Sequence, residues 1–94
     1  MRSIIIDALD MKDRESLHLV MKEALNLPDY YGNNLDALWD CLRDLPPTEL
    51  LLRHAESLSS LPDGYGEKMI GLLREAVEEH PHFVFTLLDS RSGL

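Results

Sequence analysis

The sequence predicts an α/β domain: a three-stranded parallel sheet packed by about four helices, in a single domain spanning residues 1–94. Three observations lead there. Runs of strand-forming residues occur at three places, residues 4–6, 50–52 and 83–88. Long stretches with apolar residues at helical spacing separate them. Strands joined by helical crossovers belong to a parallel sheet with right-handed connections. The chain has 94 residues, 45% of them hydrophobic, which supplies one modest core and argues against wholesale disorder.

Ile4, Ile5 and Ile6, closed by Asp7, form a β-branched run expected to be a strand buried on both faces. Asp13 is placed to cap the first helix, its carboxylate accepting from a free backbone amide. Leu17, Val20, Met21, Ala24 and Leu25 follow at i, i+3, i+4, i+7 and i+8, one apolar face. Asn26-Leu27-Pro28 ends that helix, because proline disfavours a helical residue before it. Residues 30–34 form a loop, and Asn33 or Asn34 can cap the next helix. Leu35, Leu38, Trp39 and Leu42 make a second apolar stripe, stopped by Pro46-Pro47. Leu50, Leu51 and Leu52 read as the second strand. A short helix is expected within residues 55–61, and Pro62-Asp63-Gly64 is turn chemistry. Met69, Leu72, Leu73, Ala76 and Val77 carry the amphipathic spacing of the last long helix, broken at His80-Pro81-His82. Residues 83–88 are the third strand, and residues 89–94 are expected to fray.

Charge narrows the function. Nine Lys and Arg against 17 Asp and Glu give 9 − 17 = −8 with neutral histidines. Phosphate backbones and anionic membrane surfaces repel such a chain, so direct nucleic-acid and membrane binding are disfavoured. A basic protein partner is favoured. The single cysteine, Cys41, cannot form an internal disulfide, which fits a reducing compartment. The apolar start is three residues long, too short for a signal-peptide core or a membrane span, so a cytoplasmic location is expected.

Most catalytic and cofactor signals fail. Gly64-Tyr65-Gly66-Glu67-Lys68-Met69 begins like a dinucleotide fingerprint, but Met69 stands where the third glycine belongs, and a turn rather than a strand precedes it. Of His18, His54, His80 and His82, only the last two are close, with no cysteine or carboxylate completing a metal set. The histidines read as solvent-exposed loop residues. Cys41 lies beside Asp40 with no activating cation and reads as structural. No metal and no cofactor is expected.

The residues around the second helix differ. At about 100° per residue, Asp36 and Asp40 share one face, roughly 120–140° from the apolar stripe. Trp39 lies on the flank, and Tyr30 and Tyr31 precede the helix. The expected product is an exposed acidic face edged by aromatics, the composition of an interface hot spot. A plain solvated helix face is the simpler alternative. An acid/base pair or hard-metal site would need a pocket, a nearby Lys or His, or a third ligand, and none is visible. A carrier domain would need a hydroxyl after the aspartate, where Ala37 stands.

Residues 27–42, Leu-Pro-Asp-Tyr-Tyr-Gly-Asn-Asn-Leu-Asp-Ala-Leu-Trp-Asp-Cys-Leu, closely resemble the signature of the barstar family of ribonuclease inhibitors. The likeness extends loosely to Leu17-His18 and Lys22-Glu23 in the first helix, to Leu73-Arg74-Glu75-Ala76 in the last, and to the closing strand. The resemblance implies an intracellular inhibitor, not an enzyme, that plugs the active site of a basic ribonuclease in a 1:1 complex, with a monomer favoured. It implies that Tyr30 packs near the enzyme's catalytic histidine and that Asp36 pairs with a basic residue at the cleft. Asp40 would replace the RNA phosphate between Arg and Lys. Glu75 would add a charge pair at the rim, Gly32 and Asn34 would shape the loop, and Trp39 would lie along the inserted face. The alternative is an immunity-type or regulatory module of the same fold directed at another basic protein.

The chain departs from the family pattern just past the signature. Arg43, Asp44 and Leu45 stand where a small neutral pair and an aromatic residue are expected. Leu45 reduces aromatic area at the rim. Arg43 places a positive charge beside the acidic face, either repelling some basic enzymes or holding Asp40 from i+3. A second cysteine associated with the family is absent.

Overall fold

The computed structural model describes residues 1–88; residues 89–94, expected from sequence to fray, lie outside the described residues. Strands β1 (Arg2–Asp7), β2 (Thr48–Arg53) and β3 (Phe83–Leu88) form one sheet in the order β1-β2-β3, with both pairs parallel. Helices α1 (Arg14–Leu25) and α2 (Leu35–Arg43) connect β1 to β2, and α3 (Tyr65–Glu79) connects β2 to β3. Short 3-10 turns occupy Ala8–Asp10, Ala55–Ser60 and Pro62–Gly64. The order strand, helix, helix, strand, small helix, helix, strand is the one the periodicity predicts.

Local chemistry sets the ends. The Asp13 carboxylate accepts from the Ser16 amide at 2.7 Å, and the Ser16 hydroxyl accepts from the Asp13 amide at 3.0 Å, a reciprocal cap on α1. Asn26 closes α1 in the left-handed region at φ 53°, a conformation asparagine tolerates. Asn34, not Asn33, caps α2: its Oδ1 accepts from the Ala37 amide at 2.7 Å. Thr48 is fully buried where β2 begins; its hydroxyl accepts from Arg2 Nε at 2.9 Å and donates to the Pro46 carbonyl at 2.6 Å.

The register aligns Ile4, Leu50 and Phe85, and likewise Ile6, Leu52 and Leu87. This face packs under the helices: Ile6, Leu50, Leu52 and Phe83 are buried against Leu17, Met21, Leu38, Leu42, Met69 and Leu73. The opposite face is open. Ile5 is 61% exposed, which corrects the expectation that residues 4–6 are buried on both sides. A three-stranded sheet with helices over one face alternates inward and outward residues like a half-covered antiparallel sheet.

The Gly64-x-Gly66 pattern is explained by packing rather than by phosphate binding. Gly64 has φ 65°, which favours glycine, and a Cβ at Gly66 would stand 2.5 Å from Leu58 Cβ and 2.7 Å from its carbonyl oxygen.

Candidate partner-binding surface

Helix α2 is nine residues long and anchored by Leu38 and Leu42, both fully buried. That anchoring turns Asp36, Asp40 and Arg43 to solvent, with Leu35, Ala37, Trp39 and Cys41 half-buried on the flanks. Among the described residues neither Asp36 nor Asp40 has an ion-pair partner or a side-chain hydrogen bond within the chain. Their oxygens are therefore available to an external cation.

The loop before α2 is held at both ends. The Tyr31 amide donates to the Pro28 carbonyl at 2.9 Å, and Asn34 Nδ2 donates to the Gly32 carbonyl at 3.2 Å. A Cβ at Gly32 would lie 3.2 Å from that asparagine nitrogen, so the glycine leaves room for the cap residue. Tyr30 points away from the core, 86% exposed.

Two open depressions flank α2. One, of about 350 Å³, has Tyr30, Asp40, Cys41, Asp44 and Leu45 in its lining, with Leu27 and Pro28 behind them. The other, of about 290 Å³, is bordered by Asn34, Asp36, Arg14, Tyr65 and Lys68. Tyr30 and Asp40 thus share one hollow, and Asn34 and Asp36 share the other. This corrects the expectation that no pocket adjoins the paired acids. Neither hollow brings a histidine to the carboxylates, and among the described residues no cluster of three metal-ligating side chains occurs.

The remaining predicted residues take distinct places. Trp39 rests against His80, ring centroids 5.6 Å apart, and His80 lies 5.6 Å from His82. The His82 Nε2 atom donates to the Leu42 carbonyl at 3.2 Å, bracing the end of α2. Arg43 turns to Asp44 at 3.7 Å, so the expected hold on Asp40 from i+3 is not formed. Glu75 is exposed on α3, which packs against α2, but no hydrogen bond or ion pair joins it to the α2 residues. The Cys41 thiol is pushed up by burial first, then by the charges of Asp40 and Asp44, in keeping with a structural cysteine.

Two residues depart from their predicted setting. Tyr31, grouped by sequence with the exposed Tyr30, is only 5% exposed and belongs to the core. His18 is no loop histidine: it sits on α1, 1% exposed. Its Nδ1 meets the Tyr31 hydroxyl at 2.5 Å and its Nε2 meets the Tyr65 hydroxyl at 2.5 Å. The other histidines are half-buried rather than solvated; His54 Nδ1 lies 3.0 Å from Asp7 Oδ1. The overlooked signal at His18 was its spacing, since Met21 and Leu25 stand at i+3 and i+7 on the buried face.

Comparison with known proteins places the chain in a family. The family profile described as "Barstar (barnase inhibitor)" matches residues 1–90. A Bacillus subtilis (strain 168) protein named "Putative ribonuclease inhibitor YrdF" is 46% identical over 82 residues, a span covering 84% of this chain and 89% of that relative. With a profile match along nearly the whole chain, and a relative this similar over most of both lengths, the chain belongs to the barstar family.

Proposed function

We propose that this chain is an intracellular inhibitor of a basic ribonuclease, binding it one to one through α2 and the loop before it, and doing no chemistry of its own. One observation carries the reading: a short, doubly anchored helix holds Asp36 and Asp40 in solvent without internal partners, directly after an exposed Tyr30. A ribonuclease cleft binds phosphates and is therefore lined with cations. Carboxylates on a rigid helix occupy such positions with little ordering cost. Family membership and the name of the B. subtilis relative support the same target class.

In this reading Asp40 takes the place of an RNA phosphate between basic residues, and Asp36 pairs with a second cation. Tyr30 packs on the rim of the catalytic site, beside the hollow it shares with Asp40. Gly32 and Asn34 shape the loop, Trp39 lies along the inserted face, and Glu75 meets a charge at the α3 edge. Arg43, already paired with Asp44, sets which basic enzymes are accepted. A contact of standard size would bury about 800 Å² on each partner.

The test is RNA cleavage by barnase and other guanyl-preferring microbial ribonucleases, titrated with the purified protein. Inhibition should saturate at one equivalent. Asp40→Ala should weaken binding by about 3–5 kcal/mol, because buried cations of the enzyme would be left unpaired. Its unfolding midpoint should stay close to the parent's, since an exposed like-charge pair at i, i+4 is relieved. An Asp40→Ala protein that inhibits as tightly as the parent removes the phosphate-mimic role.

A further inference from the structure

The His18 imidazole joins three parts of the chain that are far apart in sequence. It stands on α1, receives Tyr31 from the loop before α2 on one nitrogen, and receives Tyr65 from the start of α3 on the other. Both tyrosine rings also lie 5.7 Å from the imidazole centroid, and the Arg14 guanidinium covers the Tyr65 ring at 4.3 Å. All three polar side chains are buried, so each hydrogen bond is expensive to lose. Tyr31 is the neighbour of Tyr30, and three residues beyond it Asn34 caps α2. We infer that His18 is a positioning residue for the partner-binding loop, a latch that fixes Tyr30 and the start of α2 by holding the Tyr31 hydroxyl.

Donor arithmetic makes the latch specific. A neutral imidazole has one N–H and one lone pair. One tyrosine hydroxyl therefore donates to the ring while the other accepts from it, and both nitrogens are satisfied. A protonated imidazole donates twice, so both hydroxyls must accept and must turn their own protons elsewhere. Among the described residues neither hydroxyl has a second protein partner. The titratable and charged groups around the ring are Tyr31 from the loop, Tyr65 from α3 and Arg14 on its own helix, with Cys41 of α2 beyond Tyr31. None is an acid that would favour the imidazolium. Burial pushes His18 below the usual imidazole range, and Arg14 adds to the shift. Burial likewise pushes the Tyr31 phenol up, keeping it protonated. The latch is thus closed when the ring is neutral and weakens as the solution becomes acidic.

The consequence for binding rests on the ribonuclease-inhibitor reading; the consequence for the free chain does not. The experiment compares the full-length parent with Tyr31→Phe and with Ile6→Val, a core control that loses comparable stability away from the latch. In the free protein, opening of the Tyr31 amide, read by hydrogen exchange corrected for intrinsic rate, should rise about tenfold more in Tyr31→Phe than in Ile6→Val. The parent should show the same loosening between about pH 8 and about pH 5, and His18→Gln, which removes the titrating ring, should lose that pH dependence. With barnase as the probe, Tyr31→Phe should bind about tenfold more weakly and Ile6→Val as the parent does, because only the former lowers the share of loops ready to bind. Equal opening of the Tyr31 amide in the two variants would overturn the latch. If barnase binds none of the proteins, the inhibitor reading fails for that enzyme, and the exchange comparison still decides the latch.

Discussion

Asn34 shows how one side chain serves fold and surface together. Its Oδ1 caps α2 while its Nδ2 closes the loop onto Gly32. Asn34→Ala should cost about 1 kcal/mol in urea unfolding and should also weaken nuclease binding, because the helix start that presents Asp36 would fray. Gly66 is constrained from the other direction. Gly66→Ala drives a Cβ into the Leu58 backbone at 2.7 Å, and about 1–3 kcal/mol of stability should be lost in the same measurement. The Asp13 cap and the acids were legible from residue type and spacing alone, since a cap interacts within three or four positions of itself, whereas the α2 cap was narrowed only to Asn33 or Asn34. His18 and Tyr31 were not, because their partners lie 13 and 47 residues apart in sequence.

Strand β1 makes the corresponding point for elements. Ile5 and Ile6 are adjacent and equally strand-forming, yet one faces solvent and the other is 4% exposed. Ile6→Ala should cost about 2–4 kcal/mol, whereas Ile5→Thr should change stability by about 0.5 kcal/mol or less; thermal unfolding of the two variants distinguishes them. Nothing in the run of three isoleucines says which side the helices cover. That choice belongs to the connections, which place α1 and α3 against the same face of the sheet. Helix α2 was easier to anticipate. Leu38 and Leu42 are buried as its stripe requires, and the acids at Asp36 and Asp40 then face outward by geometry.

Across the whole molecule, proton linkage and net charge govern behaviour in solution. Backbone hydrogen bonding from Leu9 holds the Asp7 carboxyl below its usual range, helped by His54, and the Ser16 amide does the same for Asp13. Those two contribute stability above about pH 4 that is lost as the pH falls through and below that value. His18 acts higher. Its folded form resists protonation, so the unfolded chain binds more protons below about pH 6.5, and stability should begin to decline there. Unfolding free energy measured against pH should fall in two stages, near pH 6 and near pH 4, and His18→Gln should remove the upper one. A net charge of −8 should also make association with a basic nuclease slow with rising salt more than dissociation quickens. Stopped-flow rates check this, and a salt-insensitive association rate would exclude steering. The sequence by itself determined the three strands and the main helices, their order, the Asp13 cap, the acidic helix face and the family resemblance, because each is written in contacts within a few residues or in one continuous stretch. Only the tertiary structure decided which face of the sheet stays open, that Arg43 takes Asp44 rather than Asp40, and that a buried histidine ties the loop to two helices. Those outcomes depend on which distant segments share the core, and periodicity carries no record of that.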